Sequence, residues 1–293
     1  MQLVFTVLEI VAPVFLLAGI GWVWVKLGQE YRIRFVTQLA MTLSVPCLIF
    51  NSLQSTALDP SALSALTLAA VVAYALVTVA MWLVVRITGI DNRTFLAPLV
   101  FGNTGNLGLP LALFAFGDVG LSYAVVVFAV MAIYSFTAGV WLVSGGGSPA
   151  KALKEPMVWA TLLGALFLWR GWQTPVFISN TIGLIGQMAI PLMLITLGVA
   201  LARLSPSSFR LPVVLSFAKV IACAVIAWGV GVWFALPGVA FGVLVVQVAT
   251  PVAVTSYLLA EKYGADSDAV AGLVVVSTLL SVVALPLILA FVI

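Results

Sequence analysis

The fourth apolar segment of this chain carries residues that an uninterrupted membrane helix would not contain. It extends from residue 94 to 116 and includes, in order, Asn103, Thr104, Gly105, Asn106, Gly108 and Pro110. Relative to alanine, glycine costs about 1 kcal/mol and proline about 3 kcal/mol in a helix interior. Backbone groups freed by a break are tolerated at membrane depth only inside protein or beside a water-filled cavity. The segment therefore predicts a broken helix at a functional site.

A broken helix of this kind suits an anionic ligand. The start of its second half presents unpaired backbone N–H groups and a partial positive charge, which together favour a carboxylate. The side-chain amides of Asn103 and Asn106 can supply further contacts. Small residues also allow close packing between membrane helices, but packing alone requires no asparagine. We therefore predict a substrate site that binds a carboxylate.

A second interruption lies in the ninth apolar segment, residues 238–260. Its polar and helix-breaking residues are Gln247, Thr250, Pro251 and Thr255. Alignment of Phe116-Gly117-Asp118 with Tyr263-Gly264-Ala265-Asp266 places Asn103 opposite Thr250. Carriers built from inverted repeats often combine two matched broken helices near the bilayer midplane. We expect the two breaks to cross there and to form one site.

Two further residues are candidates on weaker grounds. Tyr134, beside Ser135 and Thr137 in the fifth segment, could line the pocket or could simply be a packing aromatic. Lys219 lies well inside the eighth segment, where an ammonium usually faces a partner or a cavity. It could attract an anionic substrate, occupy the place of a coupling cation, or extend toward the membrane surface. These alternatives stay open from sequence alone.

Composition assigns the chain to the membrane. Hydrophobic residues make up 64% of its 293 residues, charged residues make up 7%, and the mean hydropathy is +1.27. Soluble domains carry about 25% charged residues. The net charge of +3 is too small to indicate nucleic acid. Because histidine is absent and both cysteines lie in apolar runs, we expect no metal site, no cofactor and no enzymatic activity.

The elements that position these residues are ten apolar segments of spanning length. They are residues 3–27, 35–54, 61–87, 94–116, 119–143, 156–172, 178–202, 208–234, 238–260 and 268–292. A polar stretch at 144–155 reads as a linker between a first five-helix repeat (1–143) and a second (156–293). Five spans in each half would give the two repeats opposite orientations. The predicted fold class is an all-α membrane protein with a 5+5 inverted repeat.

Orientation follows from the positions of lysine and arginine. All of them except Arg170 and the intramembrane Lys219 lie in loops after odd-numbered segments or at the adjoining segment ends: Lys26, Arg32, Arg34, Arg86, Arg93, Lys151, Lys154, Arg203, Arg210 and Lys262. The positive-inside rule places such loops in the cytoplasm. We expect both termini outside and the central linker inside.

In the two interrupted segments and in the seventh segment, the sequence resembles the auxin efflux carrier family, and the resemblance covers essentially the whole chain. The resemblance rests on Asn103-Thr104-Gly105-Asn106-Leu107-Gly108-Leu109-Pro110, on the stretch from Pro191 to Gly198-Val199-Ala200-Leu201, and on Thr250-Pro251-Val252-Ala253-Val254-Thr255. It implies a fold similar to bile-acid symporters and sodium–proton antiporters, with a scaffold domain, a transport domain and elevator-like alternation. It also implies organic anions as substrates, with Asn103, Asn106 and Tyr134 at ligand positions and Pro110 and Pro251 in the crossing region.

These observations favour a secondary transporter of small organic anions, such as malonate-type dicarboxylates or auxin-like acids. We expect it in a bacterial inner membrane, in contact with lipid, and a homodimer is expected from the family alone. The alternative is a sensor that keeps the carrier fold and binds substrate without moving it. The coupling ion stays open between H⁺ and Na⁺. No acidic residue lies in 96–110 or 241–251, but Gln247 and Thr250 offer neutral oxygens.

Overall fold

The computed structural model describes residues 2–55, 60–144, 156–204 and 210–293. Within these ranges the chain is helical almost throughout, and the only extended pairing is an isolated antiparallel bridge between Gly102 and Val252. The predicted linker at 144–155, with Lys151 and Lys154, lies outside the described residues except for Ser144.

Fourteen α-helices are described. They are α1 (Gln2–Lys26), α2 (Ile33–Leu39), α3 (Val45–Ser55), α4 (Pro60–Thr88), α5 (Asn92–Val100), α6 (Leu109–Tyr134), α7 (Val140–Ser144), α8 (Pro156–Arg170), α9 (Val176–Gln187), α10 (Ala189–Arg203), α11 (Arg210–Trp233), α12 (Gly238–Val248), α13 (Val254–Tyr263) and α14 (Ser267–Val292). Turns of π-helix join α2 to α3 at Ala40–Ser44 and α6 to α7 at Ser135–Gly139. A third, Thr104–Gly108, precedes α6. Gly117, at φ 66° and ψ −159°, divides α6 into two parts.

Six helical segments of the described chain are long and apolar enough to cross a membrane: Ile33–Gln54, Ser61–Thr88, Thr104–Val143, Val176–Arg203, Arg210–Trp233 and Ser267–Val292. The predicted all-helical membrane architecture is confirmed to this extent. The predicted spans 94–116 and 238–260 are each interrupted, and α8 has only 15 residues. The count of ten spans and the inverted repeat stay predictions.

The helices pack as two groups. In the first, which we name the panel group, α1 packs mainly on α10, and α3 packs on α8 and α9; α2 adjoins them. In the second, the crossing group, α11 packs on α4, α12 and α14, and α6 packs on α4 and α12; α5, α7 and α13 complete it. Contacts between the groups are fewer and involve mainly α1, α3, α8 and α10 against α6, α14 and the turn at Thr104–Gly108.

Glycines bring α1 and α10 into backbone contact. A Cβ atom at Gly21 would lie 2.0 Å from the carbonyl oxygen of Ile195, and one at Gly198 would lie 1.7 Å from that of Ala18. No other residue fits at these separations. Small residues let membrane helices approach closely in this way, and the gain in packing contacts holds them together.

Candidate functional site

The two helix breaks lie against each other. Helix α5 ends at Val100 and helix α12 ends at Val248, and in both breaks the backbone is non-helical, over residues 101–103 and 249–253. The backbone N–H of Asn103 donates to the carbonyl oxygen of Pro251 at 2.7 Å. Together with the bridge between Gly102 and Val252, this bond joins the breaks into one crossing.

The sequence of the second break explains its hydrogen bonds. Pro251 has no N–H, so the carbonyl of Gln247 loses the partner it would have in a continuous helix. The hydroxyl of Thr250 replaces that partner and donates to the Gln247 carbonyl at 2.7 Å. The N–H of Val252 leaves the helix pattern as well and donates to the Ser277 hydroxyl on α14 at 3.0 Å.

Glycines in the first break make room for polar side chains of the second. A Cβ atom at Gly102 would lie 2.2 Å from the hydroxyl oxygen of Thr250. One at Gly108 would lie 2.2 Å from the side-chain oxygen of Gln247. The crossing therefore depends on glycine at both positions.

Both helices that follow the breaks begin at the same cavity. The N–H groups of Leu107 and Gly108 both donate to the Asn103 carbonyl at 3.1 Å, which leaves the earlier amides of that turn without a helical partner. Helix α13 begins likewise at Val254, after the second break. Asn103, Gly105, Asn106 and residues 253–255 contribute to the walls of one cavity of about 120 Å³.

The cavity has a polar side and an apolar side. The polar lining comes from Asn103, Asn106, Thr255, Thr37 and Ser135. The apolar lining is mainly Met41, Phe101, Phe128 and Met131. A smaller space of about 40 Å³ adjoins it and is lined partly by Thr196 and Ala200. Every residue lining the 120 Å³ cavity is uncharged, so its electrostatic character comes from helix ends and neutral dipoles.

Several buried polar atoms at the crossing have no hydrogen-bond partner among the described residues. They are the amide nitrogen of Asn103, the hydroxyl of Thr104 and both amide atoms of Gln247. Since buried polar groups are nearly always paired, such atoms indicate a place for a ligand or water. Asn103 alone of the three also lines the cavity, so its unpaired amide is the one that belongs to a residue of the cavity wall.

The structure gathers most of the predicted site residues at the crossing. Asn103, Gly105, Asn106 and Thr255 line the cavity. Thr104, Gly108, Gln247, Thr250 and Pro251 are buried in the crossing behind it, and Pro110 is buried in the first turn of α6. Their predicted role in binding stays a prediction.

Tyr134 lies outside this group. Its hydroxyl is 3.1 Å from the Thr78 hydroxyl, and its ring packs edge-on against Phe101 with centroids 5.3 Å apart. It lines a separate cavity of about 340 Å³ with Tyr74 and Thr137. It therefore reaches the crossing cavity only through Phe101.

Lys219 also faces away from the cavity. Its side chain is 2% exposed, and its ammonium donates to the carbonyl oxygen of Leu99 at 2.9 Å. It borders a small space next to Ser216, Thr250 and Pro251, on the other face of the crossing.

The far end of α5 is anchored by polar contacts. Arg93 donates from Nε to the Val143 carbonyl at 2.7 Å and from Nη2 to the Tyr263 carbonyl, at the ends of α7 and α13. Asp91 caps α5, and its bonds to the Thr94 hydroxyl and to the backbone N–H groups of Arg93 and Thr94 hold the pKa of Asp91 below its usual value. These contacts fix the start of α5 to the end of α13.

A larger cavity, of about 670 Å³, lies between α3, α9 and α10 of the panel group and α6 of the crossing group. Its polar lining includes Asn51, Ser52, Asp118 and Gln187. The sequence analysis assigned no site role to Ser52, Asp118 and Gln187 of this cavity or to Thr37, Met41, Phe128 and Met131 of the smaller one. Of all these, only Asp118 carried a local signal, as the charge after Gly117.

Comparisons with known proteins agree with this architecture. The sequence profile of the membrane transport protein family matches residues 6–152 and 140–289. An uncharacterised transporter from Methanothermobacter thermautotrophicus is 29% identical over 296 aligned residues, covering 95% of this chain and 96% of that protein. An uncharacterised transporter from Methanocaldococcus jannaschii is 26% identical over 204 residues, 64% of each chain.

Proposed function

Since this chain belongs to the membrane transport protein family, the auxin efflux carrier family whose motifs it carries, we propose that it is a secondary transporter of small organic anions. Its membership of this family identifies it as a transporter, and its apolar helices identify it as a multi-pass membrane protein. The substrate class, the mechanism and the orientation in the membrane belong to the proposal.

The observation that carries the proposal is the meeting of two helix N-termini at one cavity. Each helix start contributes about half a positive elementary charge and unpaired N–H groups. Asn103 lines the same space, and its buried amide nitrogen has no partner among the described residues. An anionic group is the ligand that satisfies all of these donors at once.

Cavity size favours a small acid. Pockets for drug-sized ligands usually enclose about 300–1,000 Å³, and this one encloses about 120 Å³. A malonate-type acid or a short monocarboxylate suits that volume better than an auxin-like acid with an indole ring. The carboxylate would lie at the helix starts, and the remainder would lie against Phe101, Phe128 and Met131.

The mechanism proposed is movement of the crossing group against the panel group. Both the 120 Å³ cavity and the 670 Å³ cavity have walls from both groups, at different places along their boundary. Alternating access by an elevator-like shift would expose the crossing first from one of these cavities and then from the other. Within this proposal the ten spans form an inverted repeat, with both termini outside a bacterial inner membrane and the central linker in the cytoplasm.

The test is transport by purified protein in liposomes, measured by labelled uptake and by solid-supported-membrane electrophysiology with a panel of small carboxylates and an indole acid. Asn103→Ala should weaken apparent affinity roughly tenfold or more, because it removes a hydrogen bond to a charged group. Asn180→Ala on α9, at an exposed position, is the matched control and should behave as wild type.

If Asn103→Ala transports every recognised acid as wild type does, the crossing cavity is not the binding site. Saturable binding of an acid without any flux in liposomes would instead support the sensor hypothesis.

A further inference from the structure

The face of the crossing opposite the cavity holds the ends of α5 and α12. Each helix end carries about half a negative elementary charge on unpaired carbonyl groups. The α5 end has an identifiable free carbonyl. In a continuous helix Leu99 would accept from the N–H of Asn103, but that N–H donates to Pro251 instead. The Lys219 ammonium occupies the vacated position on Leu99 at 2.9 Å.

The end of α12 borders the same small space. Ala249, Thr250 and Pro251, which follow the last residue of α12, surround about 10 Å³ together with Lys219. The other walls carry hydroxyl groups from Ser216, Ser277 and Ser281. The Ser216 hydroxyl is buried and has no hydrogen-bond partner among the described residues. The space beside the ammonium is therefore lined by polar groups, while the ammonium itself donates to the Leu99 carbonyl.

Within the described residues, Lys219 forms no ion pair with a carboxylate. The one ion pair found there joins Arg32 and Glu30 at the surface. A buried ammonium is costly in a membrane protein and usually pairs with a charge or with backbone carbonyls. Two helix ends supply together about one negative elementary charge. The charge of Lys219 is thus matched by the crossing itself.

We infer that Lys219 is a built-in cation that replaces a dissociable Na⁺ at the crossing, so that the carrier needs no metal cation to hold its anion site together. In broken-helix carriers, half-helix C-terminal ends and unwound carbonyls are the groups that coordinate Na⁺. Here one such carbonyl, that of Leu99, accepts from an ammonium that cannot leave, and the residues that follow α12 border the same space. Lys219 is accordingly a positioning residue, which keeps α5 and α12 in place and through them the helix starts at the cavity.

The inference rests on the proposed function only where transport is the readout, and thermal stability provides a second readout without substrate. Wild-type protein is compared in NaCl, LiCl, KCl and choline chloride at equal ionic strength. We expect the melting temperature and the uptake to be the same in all four salts.

Two substitutions separate charge from space. Lys219→Ala removes the ammonium and leaves room for an ion among the surrounding oxygens. In choline, its uptake should fall roughly tenfold, the scale of a partly buried charge at a helix end. Added Na⁺ or Li⁺ should then raise its stability and uptake saturably. Lys219→Met removes the same charge but fills the space. Its uptake should therefore fall as far as that of Lys219→Ala and should not respond to added salt. Lys26→Met, at the exposed end of α1, controls for the loss of one positive charge.

Three results would overturn the inference: a Na⁺ requirement in wild type, wild-type behaviour of Lys219→Ala in choline, or a loss in Lys219→Ala that no small cation restores. If neither variant folds, the wild-type salt comparison still decides whether a dissociable cation is needed. If wild type transports and binds no acid at all, the proposed function fails, whereas the salt dependence of melting still tests Lys219.

Discussion

Replacement of Gly21 by alanine tests the close contact between α1 and α10. The added Cβ would lie 2.0 Å from the Ile195 carbonyl oxygen and 2.9 Å from its carbonyl carbon. Because the obstacle is backbone, it cannot rotate away as a side chain could, and the helices must separate. Overpacking of this kind costs about 1–3 kcal/mol, against a gain of about 1 kcal/mol from the higher helix propensity of alanine. We expect a net destabilisation of up to about 2 kcal/mol.

Gly19 provides a matched control two residues earlier in the same helix. A Cβ atom there would meet nothing within 4 Å. Gly19→Ala should therefore leave stability unchanged or raise it by up to about 1 kcal/mol, from helix propensity alone. In domains of 150–250 residues, 1 kcal/mol corresponds to roughly 2–4 °C in melting temperature. Thermal unfolding in detergent, followed by tryptophan fluorescence, should place Gly21→Ala about 5 °C below Gly19→Ala.

The comparison can refute the reasoning directly. Equal melting temperatures for the two variants would mean that α1 and α10 move apart at little cost. The panel group would then not act as a fixed unit against which the crossing group moves. A lower melting temperature for Gly21→Ala with an unchanged substrate affinity would locate the effect in the panel group, away from the cavity.

Three further predictions concern the crossing and the start of α5. Gly102→Ala should reduce uptake at least tenfold, because its Cβ would lie 2.2 Å from the Thr250 hydroxyl and would force the two breaks apart, at the energetic cost of overpacking. Uptake as in wild type would show that the crossing can widen freely. Arg93→Met should lower the melting temperature, since it removes the guanidinium that donates to two helix-end carbonyls. Arg86→Met on α4 is the control, and equal melting temperatures would count against the contact. Asp91→Ala should lower the free energy of unfolding by about 1 kcal/mol, because a helix cap is lost. Since bonding to Thr94 lowers the pKa of Asp91, this contribution to stability is present above the usual aspartate pKa and disappears as the pH falls through the lowered value. A difference in melting temperature from wild type that stays constant into strong acid would contradict this.

The positions of the two breaks could be predicted from sequence because their signal is local. Glycine, proline and asparagine inside an apolar run are unfavourable in any membrane helix, whatever surrounds them. The contact between Asn103 and Pro251 is long-range, yet the match between the two halves pointed to the same region. Both kinds of evidence concern backbone, which follows from residue type more directly than side-chain direction does.

Side-chain directions could not be predicted in the same way. Met41, Phe128 and Met131 line the cavity, but an apolar residue in an apolar segment gives no sign of which neighbour it faces. Tyr134 illustrates the converse. Its polar group suggested the cavity at the crossing, whereas the structure places it at a separate cavity, with its hydroxyl 3.1 Å from that of Thr78 on α4.

Lys219 shows why a site can be visible in sequence while its role is not. An ammonium within a span had three readings: attraction of substrate, replacement of a cation, or extension to the surface. The choice among them depends on where α5 ends and where the N–H of Asn103 goes, which are properties of the tertiary structure. Once the Leu99 carbonyl is known to be free of its helical partner, the ammonium at 2.9 Å has a specific counterpart.

The two faces of the crossing are physically linked. Two broken helices that cross antiparallel place both helix starts on one face and both helix ends on the other, so an anion site cannot be made without an excess of negative charge behind it. Something positive has to occupy that second face, either an ion that binds and leaves or a side chain that stays. Under the proposed function, a resident ammonium removes one ion from the transport cycle, and the cavity face should bind its anion equally well in any salt.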